Sequence, residues 1–258
     1  MALRLSDALR NALNESQSLK HAMSNCVLKW YTGSQPATAE AAPTGTLLCT
    51  FSKSSGALTR EVYSEGSVDL TGGAAGSVNT ITVNSISILP AAVPFNTSLA
   101  QTATDVCTAI NNNPMNQLFY AYVSATDKIN IQAKPGLGAT PNGWVVASTV
   151  TTITKTDSNM AGGVTAVNGL NWGDSVNGII PKSTTETWSG VAAATGVPGW
   201  FRFEAALTDA GALDSADAIM RMDGAIGTSG AELNMATLSV TSGVTQTIDS
   251  FSVELPTA

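Results

Sequence analysis

The sequence predicts a mainly β protein: an antiparallel β-sandwich, of jelly-roll or immunoglobulin-like type, with an N-terminal helix and an inserted small α+β domain. Three observations predict it. The first is composition: 43% of the 258 residues are hydrophobic and only 12% are charged, so a sizeable core forms without disulfides or metals. The remainder is dominated by Thr, Ser, Asn, Gly and Ala, which suits pleated strands joined by tight turns better than long helices. The second is a series of strand-length apolar runs punctuated by Gly, Asn, Asp and Ser. The third is a change of character near residue 67 that reverts near residue 166.

Residues 3–24 read as one short helix. Leu3, Leu5, Leu9, Leu13, Leu19 and Ala22 form an approximate apolar face, with a weak centre over Asn14 to Ser18. A segment of this kind at a terminus either packs on its own domain or clasps a neighbour. Strands are expected at Val27 to Tyr31, which ends in Thr32-Gly33-Ser34-Gln35-Pro36, and at Gly45 to Phe51.

The block 67–166 reads as a unit of its own. Thr80 to Val83 and Ile86 to Leu89 flank Asn84-Ser85 as a tight hairpin. A helix follows in which Thr97 is the expected cap and Leu99, Ala103, Val106, Cys107 and Ile110 share one face. Asn111-Asn112-Asn113-Pro114 ends it. Strands are expected over Leu118 to Ser124, Ile129 to Ala133 and Trp144 to Thr154.

Beyond residue 166, strands are expected at Trp188 to Ala192, Trp200 to Ala206, Ala218 to Met222, Ala236 to Val240 and Thr247 to Leu255. In the second of these, Phe201, Phe203 and Ala205 alternate with Arg202 and Glu204, so one face is buried and the Arg/Glu face is expected to look outward. The resulting organisation is a discontinuous sandwich, 1–66 with 167–258, interrupted by an α+β insertion at 67–166.

The formal net charge is −7, with 12 basic residues spread along the chain. A nucleic-acid partner needs a concentrated basic face and an anionic membrane attracts basic segments, so neither partner is expected. No apolar run reaches the ~18 residues that span a bilayer, and the N-terminal residues lack the pattern of a secretory signal, so synthesis in a cytoplasm without export is expected. Cys26, Cys49 and Cys107 are an odd number at wide spacing and form no zinc motif. They read as buried free thiols, or as a Cys26–Cys49 or inter-subunit disulfide formed in an oxidising medium.

Little in the chain points to catalysis. His21 is the single histidine and sits in the N-terminal helix, where an exposed helix residue is the expected role rather than a general base. Asp209, Asp214, Asp217 and Asp223 form the densest carboxylate group; their spacing suits turn chemistry and does not match a calcium loop. Gly72-Gly73-Ala74-Ala75-Gly76 and Gly136-Leu137-Gly138 lack the Lys-Ser/Thr ending of a phosphate loop and read as turns. No enzyme, cofactor or metal is therefore expected. The five tryptophans fill the core or meet other subunits, with a carbohydrate platform as the alternative.

Several pieces outside the insertion recur together in a fixed order: Leu-Arg-Leu-Ser-Asp-Ala-Leu-Arg-Asn-Ala-Leu, Lys-Trp-Tyr-Thr-Gly-Ser-Gln-Pro, Gly-Leu-Asn-Trp-Gly-Asp, Glu-Thr-Trp-Ser-Gly-Val, Gly-Trp-Phe-Arg-Phe, Met-Asp-Gly-Ala-Ile-Gly-Thr-Ser-Gly-Ala-Glu-Leu-Asn and Gln-Thr-Ile-Asp-Ser-Phe-Ser-Val-Glu-Leu-Pro. They resemble a set of poorly characterised virion structural proteins of tailed bacteriophages and prophages. The insertion, with Thr-Ile-Thr-Val-Asn-Ser, its capped helix and Pro-Asn-Gly-Trp, is similar to a small module within various phage virion proteins. The resemblance implies a virion component made in the bacterial cytoplasm, with no catalytic residue to transfer.

The expected role is an accessory structural protein on the particle exterior, at the neck or collar or as capsid decoration. It would assemble with copies of itself and with other virion proteins. A glycan- or receptor-binding module and a tail-associated protein are the alternatives. Leu5, Leu9, Leu13, Trp30, Arg202 and Glu204 are the expected subunit contacts. The helix 3–24 is expected to be removable without unfolding the protein.

Overall fold

The computed structural model describes residues 3–15 and 18–254, with only the backbone of Glu15 described. The chain is mainly β, built of antiparallel sheets with few helices, as the sequence predicts for the sandwich class. It divides into two compact units, 1–60 with 166–258 and 61–165.

The discontinuous unit opens with β1 (Arg4–Leu5), α1 (Asp7–Glu15), α2 (Leu19–Ala22), β2 (Val27–Thr32) and β3 (Leu47–Lys53). The inserted unit contains β4 (Glu65–Gly72), β5 (Ser77–Val83), β6 (Ile86–Ser87), β7 (Val93–Pro94), α3 (Leu99–Asn111), β8 (Phe119–Ala125), β9 (Lys128–Ala133), β10 (Val146–Thr151) and β11 (Thr154–Ala161). The chain then completes the first unit with β12 (Ile179–Pro181), β13 (Trp188–Val191), β14 (Pro198–Glu204), β15 (Arg221–Gly227), β16 (Leu233–Asn234), β17 (Thr245–Ile248) and β18 (Ser252–Glu254). A division at 66/67 would cut β4, whose pairing with β9 and β11 begins at Glu65.

The discontinuous unit is organised around one sheet in the order β1-β15-β14-β2-β3-β13-β17, antiparallel throughout, with β16 added parallel to β15. Alternation sends Phe201, Phe203, Leu28, Trp30, Phe51 and Met222 to one face. There they pack with Leu9, Leu19, Met23, Trp172, Leu233, Val240 and Phe251 in a single core. Trp172, Trp188, Phe203 and Phe251 form its aromatic centre, with Trp172 edge-on to Trp188 at 5.4 Å and Phe203 5.2 Å from Phe251.

The N-terminal segment is not one helix, and its apolar side chains belong to the core of the unit. Arg4–Leu5 pairs with Asp223 and Met222 of β15. Ser6 then caps the first helix, its hydroxyl accepting from the Leu9 N–H at 3.3 Å, and Ser18 caps the second, accepting from the His21 N–H at 3.3 Å. Each cap supplies an acceptor for N–H groups that have no partner within the helix, which starts a fresh helix on either side of the weak centre. Leu9 is fully buried, and Leu5 and Leu13 pack against the same core. All three thus contribute to the core of their own unit.

Three later strands also differ from expectation. Residues 209–219 are held in turns, so the strand expected at Ala218 begins at Arg221. Ala236 to Val240 lies across the core as an irregular segment whose sole bridge is Val240 to Gly196. The run from Thr247 splits at Asp249-Ser250 into β17 and β18, and Leu255 lies outside the described residues.

In the inserted unit, β10-β5-β6 with β7 on β5 forms one sheet and β11-β4-β9-β8 the other. Val68, Leu70, Val78, Ile81, Phe119, Ile129, Ile131 and the α3 residues Ala103, Val106 and Ile110 make its core. Asn84 and Ser85 both take positive φ, 48° and 66°, the two-residue turn whose twist matches a hairpin. Ser98, not Thr97, caps α3 by accepting from the Gln101 N–H at 3.1 Å.

Candidate functional site

Three features of the discontinuous unit bear on function: a buried charge lattice, an exposed apolar end of the sheet, and a polar cleft above Trp30.

The lattice lies on the sheet face opposite the aromatic core. Arg202 and Glu204 do not look outward; they are 0% and 1% exposed. Arg202 donates from Nε and Nη2 to the two carboxylate oxygens of Asp223, both at 2.7 Å, and from Nη1 to the Ala41 carbonyl at 3.0 Å. Arg221 grips Asp209 in the same two-pronged way at 2.6 Å for each bond. It also donates to the carbonyls of Glu40 at 2.8 Å and Ala212 at 2.9 Å. Glu204 accepts from Lys29 at 2.6 Å and from Arg60. Facing charges on neighbouring strands, Arg202 opposite Asp223 and Glu204 opposite Arg221, thus tie β14 and β15 to the segment 39–41 and the loop 205–219 that cover them. These side chains are internal to the fold, not on the outward face that alternation alone suggests.

Burial pushes the Asp209 carboxyl up, but the Arg221 hydrogen bonds and the Gly211 N–H outweigh it, and the net direction is down. At Asp223, burial prevails over Arg202 and Arg221, and the net direction is up. The carboxylates expected to serve turns therefore divide. Asp214 accepts from Ala216 and Ile219 N–H groups as a turn residue does, Asp209 joins a turn bond to Gly211 with its arginine pair, and Asp223 belongs wholly to the lattice. No group of three or more His, Cys, Asp or Glu side chains among the described residues is placed to hold a metal ion.

Cys26 and Cys49 are free thiols, both fully buried. They are not joined in a disulfide, and their burial removes them from reach of another subunit. Burial pushes each thiol up to about 12, and Cys107 to about 11. The Gly136-Leu137-Gly138 turn is an anion cradle filled by the chain itself: the Gly136 and Gly138 N–H groups donate to Glu61 Oε1 at 2.8 and 2.9 Å.

At one end of the sheet, Val191, Val197 and Val244 are each half or more exposed, and Leu47 is partly exposed beside them. The loops carrying them are bonded together: the Ala192 N–H to the Val244 carbonyl at 3.0 Å, the Ala193 N–H to the Leu48 carbonyl at 2.7 Å, and Gly196 to Val240 through a bridge. Among the described residues, the strand β17 at the sheet margin pairs with β13 alone. Its other edge offers backbone donors and acceptors of the kind a neighbouring chain can extend.

The cleft encloses about 290 Å³ and is lined by Trp30, by Leu233 to Thr237 and by Gln246 to Ser250. A second hollow of about 500 Å³ shares Leu233, Asn234 and Ser250 with it and is lined also by Ile179, Pro181 and Phe251. Trp30 is therefore a core residue at the base of an opening.

Of the end cluster and the cleft the sequence marked only Trp30, and that as a subunit contact. The valines belong to strand ends and loops whose spatial neighbours are set by β13–β17 pairing, so no local periodicity exposes them. The lattice did leave a signal: Arg202-x-Glu204 and Arg221-x-Asp223 are matched charge pairs at strand period.

No helix among the described residues is long and apolar enough to cross a membrane. Compared with protein-family models, curated proteins and solved structures, the chain matches none.

Proposed function

We propose that this chain is an accessory structural protein on the exterior of a tailed-phage particle, at the neck or collar or as capsid decoration. It assembles with its own copies and with other virion proteins through the exposed end of its sheet. The observation that carries the assembly role is the exposure of Val191, Val197, Val244 and Leu47 at the one end of the sheet whose margin is β17. Exposed apolar residues rimmed by Ser and Thr mark contact surfaces, and burying them gains about 25 cal/mol per Å². The attribution to a phage particle rests on the ordered sequence pieces that resemble virion proteins.

The lattice suits this role. Its charges are spent inside the fold, locking strands and covering loops into a stiff body, which holds a contact surface in one geometry without ordering costs on assembly.

The test is a Val191→Asp, Val244→Asp variant of the full chain. Both side chains are exposed, so folding is expected to change by no more than about 0.5 kcal/mol each. The native chain is expected in purified particles by mass spectrometry, and the variant is expected folded but left in the soluble fraction. Equal incorporation of the two would remove the assembly role from this surface.

A further inference from the structure

We infer that the cleft above Trp30 is a binding site for a neutral saccharide, whose ring oxygen or hydroxyl accepts the Trp30 indole N–H. The indole donors of the discontinuous unit set Trp30 apart. Trp172 donates to the Met23 carbonyl at 3.1 Å, Trp200 to the Thr44 carbonyl at 3.3 Å and Trp188 to Glu186 at 3.4 Å. Trp30 is 1% exposed, lines the cleft, and its Nε1 has no acceptor among the described residues. An unpartnered buried donor is costly; Trp30 Nε1 is sealed as the chain stands, so a ligand oxygen removes that cost on a small shift of the 233–237 wall that lines the cleft with it.

The walls define the ligand's chemistry. Thr237, Gln246, Thr247, Asp249 and Ser250 line the cleft, and their side chains make no hydrogen bond to other described residues. Hydroxyls and an amide both donate and accept, which is what adjacent sugar hydroxyls require. Met235, Ala236 and Ile248 supply apolar contact for the C–H faces of a ring. No basic side chain lines either hollow, while Asp249 and Glu232 are acidic, so phosphorylated and carboxylated sugars are disfavoured. An extended peptide, for which the free edge of β17 along this wall is the natural place, is the competing occupant.

The full chain, labelled with nitrogen-15, is titrated with maltoheptaose and with chitohexaose, two neutral oligosaccharides of different hydroxyl and amide pattern. The expected result is saturable binding of at least one at millimolar concentration or tighter, with the Trp30 indole N–H resonance among those that move. Gln246→Ala with Thr237→Ala, both at the cleft wall and outside the core, is expected to weaken binding about tenfold or more, and Trp30→Phe to weaken it comparably while the fold is retained. Absence of binding by both probes overturns the inference. So does binding that the wall variants leave unchanged, or preferential saturation of the cleft by an extended peptide. The titration uses the free chain, so its outcome does not depend on whether the protein joins particles.

Discussion

Arg202 and Asp223 face each other across β14 and β15 through two N–H···O bonds of 2.7 Å, and neither side chain exposes any surface. Two charges withdrawn from water in this way stabilise the fold only because both are present. Loss of one leaves the other buried and uncompensated.

Arg202→Met is therefore expected to destabilise the protein by about 3–5 kcal/mol. Adding Asp223→Leu to the same chain is expected to recover most of that loss, since a pair of apolar side chains of similar volume removes the orphaned carboxylate. Urea unfolding of the two variants checks this. A double variant no more stable than the single one would mean that the pair itself, rather than its completeness, holds the strands.

Leu9→Ala is expected to cost about 2–5 kcal/mol, because the side chain is wholly enclosed and its removal leaves a cavity. Deleting residues 1–24 would take Leu9, Leu19, Ala22 and Met23 out of the same core, and the discontinuous unit is expected to lose cooperative thermal unfolding altogether. A truncated chain that melts like the full one would contradict the placement of the helices.

The three thiols are expected to resist Ellman's reagent at neutral pH until denaturant is added, since Cys26, Cys49 and Cys107 are buried and held neutral well above the ordinary thiol value of 9.0. A non-reducing gel of the oxidised chain is expected to give monomer alone. A dimer band lost on replacing Cys26 or Cys49 would contradict the burial of these residues.

The same burial fixes the direction of the alkaline response. Folded-state values for Cys26 and Cys49 are raised to about 12, and the hydroxyls of Tyr31 and Tyr63 are pushed up by burial as well. As pH rises the unfolded chain loses these protons first, so their contribution is complete below about pH 9 and is lost as pH climbs toward the folded values. The urea midpoint is expected to fall between about pH 8 and pH 11. A midpoint that rose over this range would show that these groups ionise more easily in the folded chain.

The mainly β class was legible because composition, turn residues and strand-period alternation all act locally. The Asn84-Ser85 turn and the face of α3 are examples, since each depends on a few adjacent residues. Arg202 and Glu204 illustrate what was not legible. Alternation correctly separates them from Phe201 and Phe203, but a charged face at strand period reads as solvent-facing whether or not a covering segment lies over it. Only tertiary contact brings Asp223, Lys29 and Arg60, with the segment 39–41, over that face. Trp30 was singled out as a contact residue, whereas its place at the base of a cleft depends on the segment 233–237 crossing the sheet, which no spacing within β2 encodes.

The most direct test of the structural role is a cryo-electron microscopy reconstruction of intact phage particles produced in cells that express this chain. The account predicts symmetry-related copies on the exterior, with Val191, Val197 and Val244 enclosed against a neighbouring subunit. Particles without the chain, or copies whose three valines face solvent while other surfaces make the contacts, would contradict it.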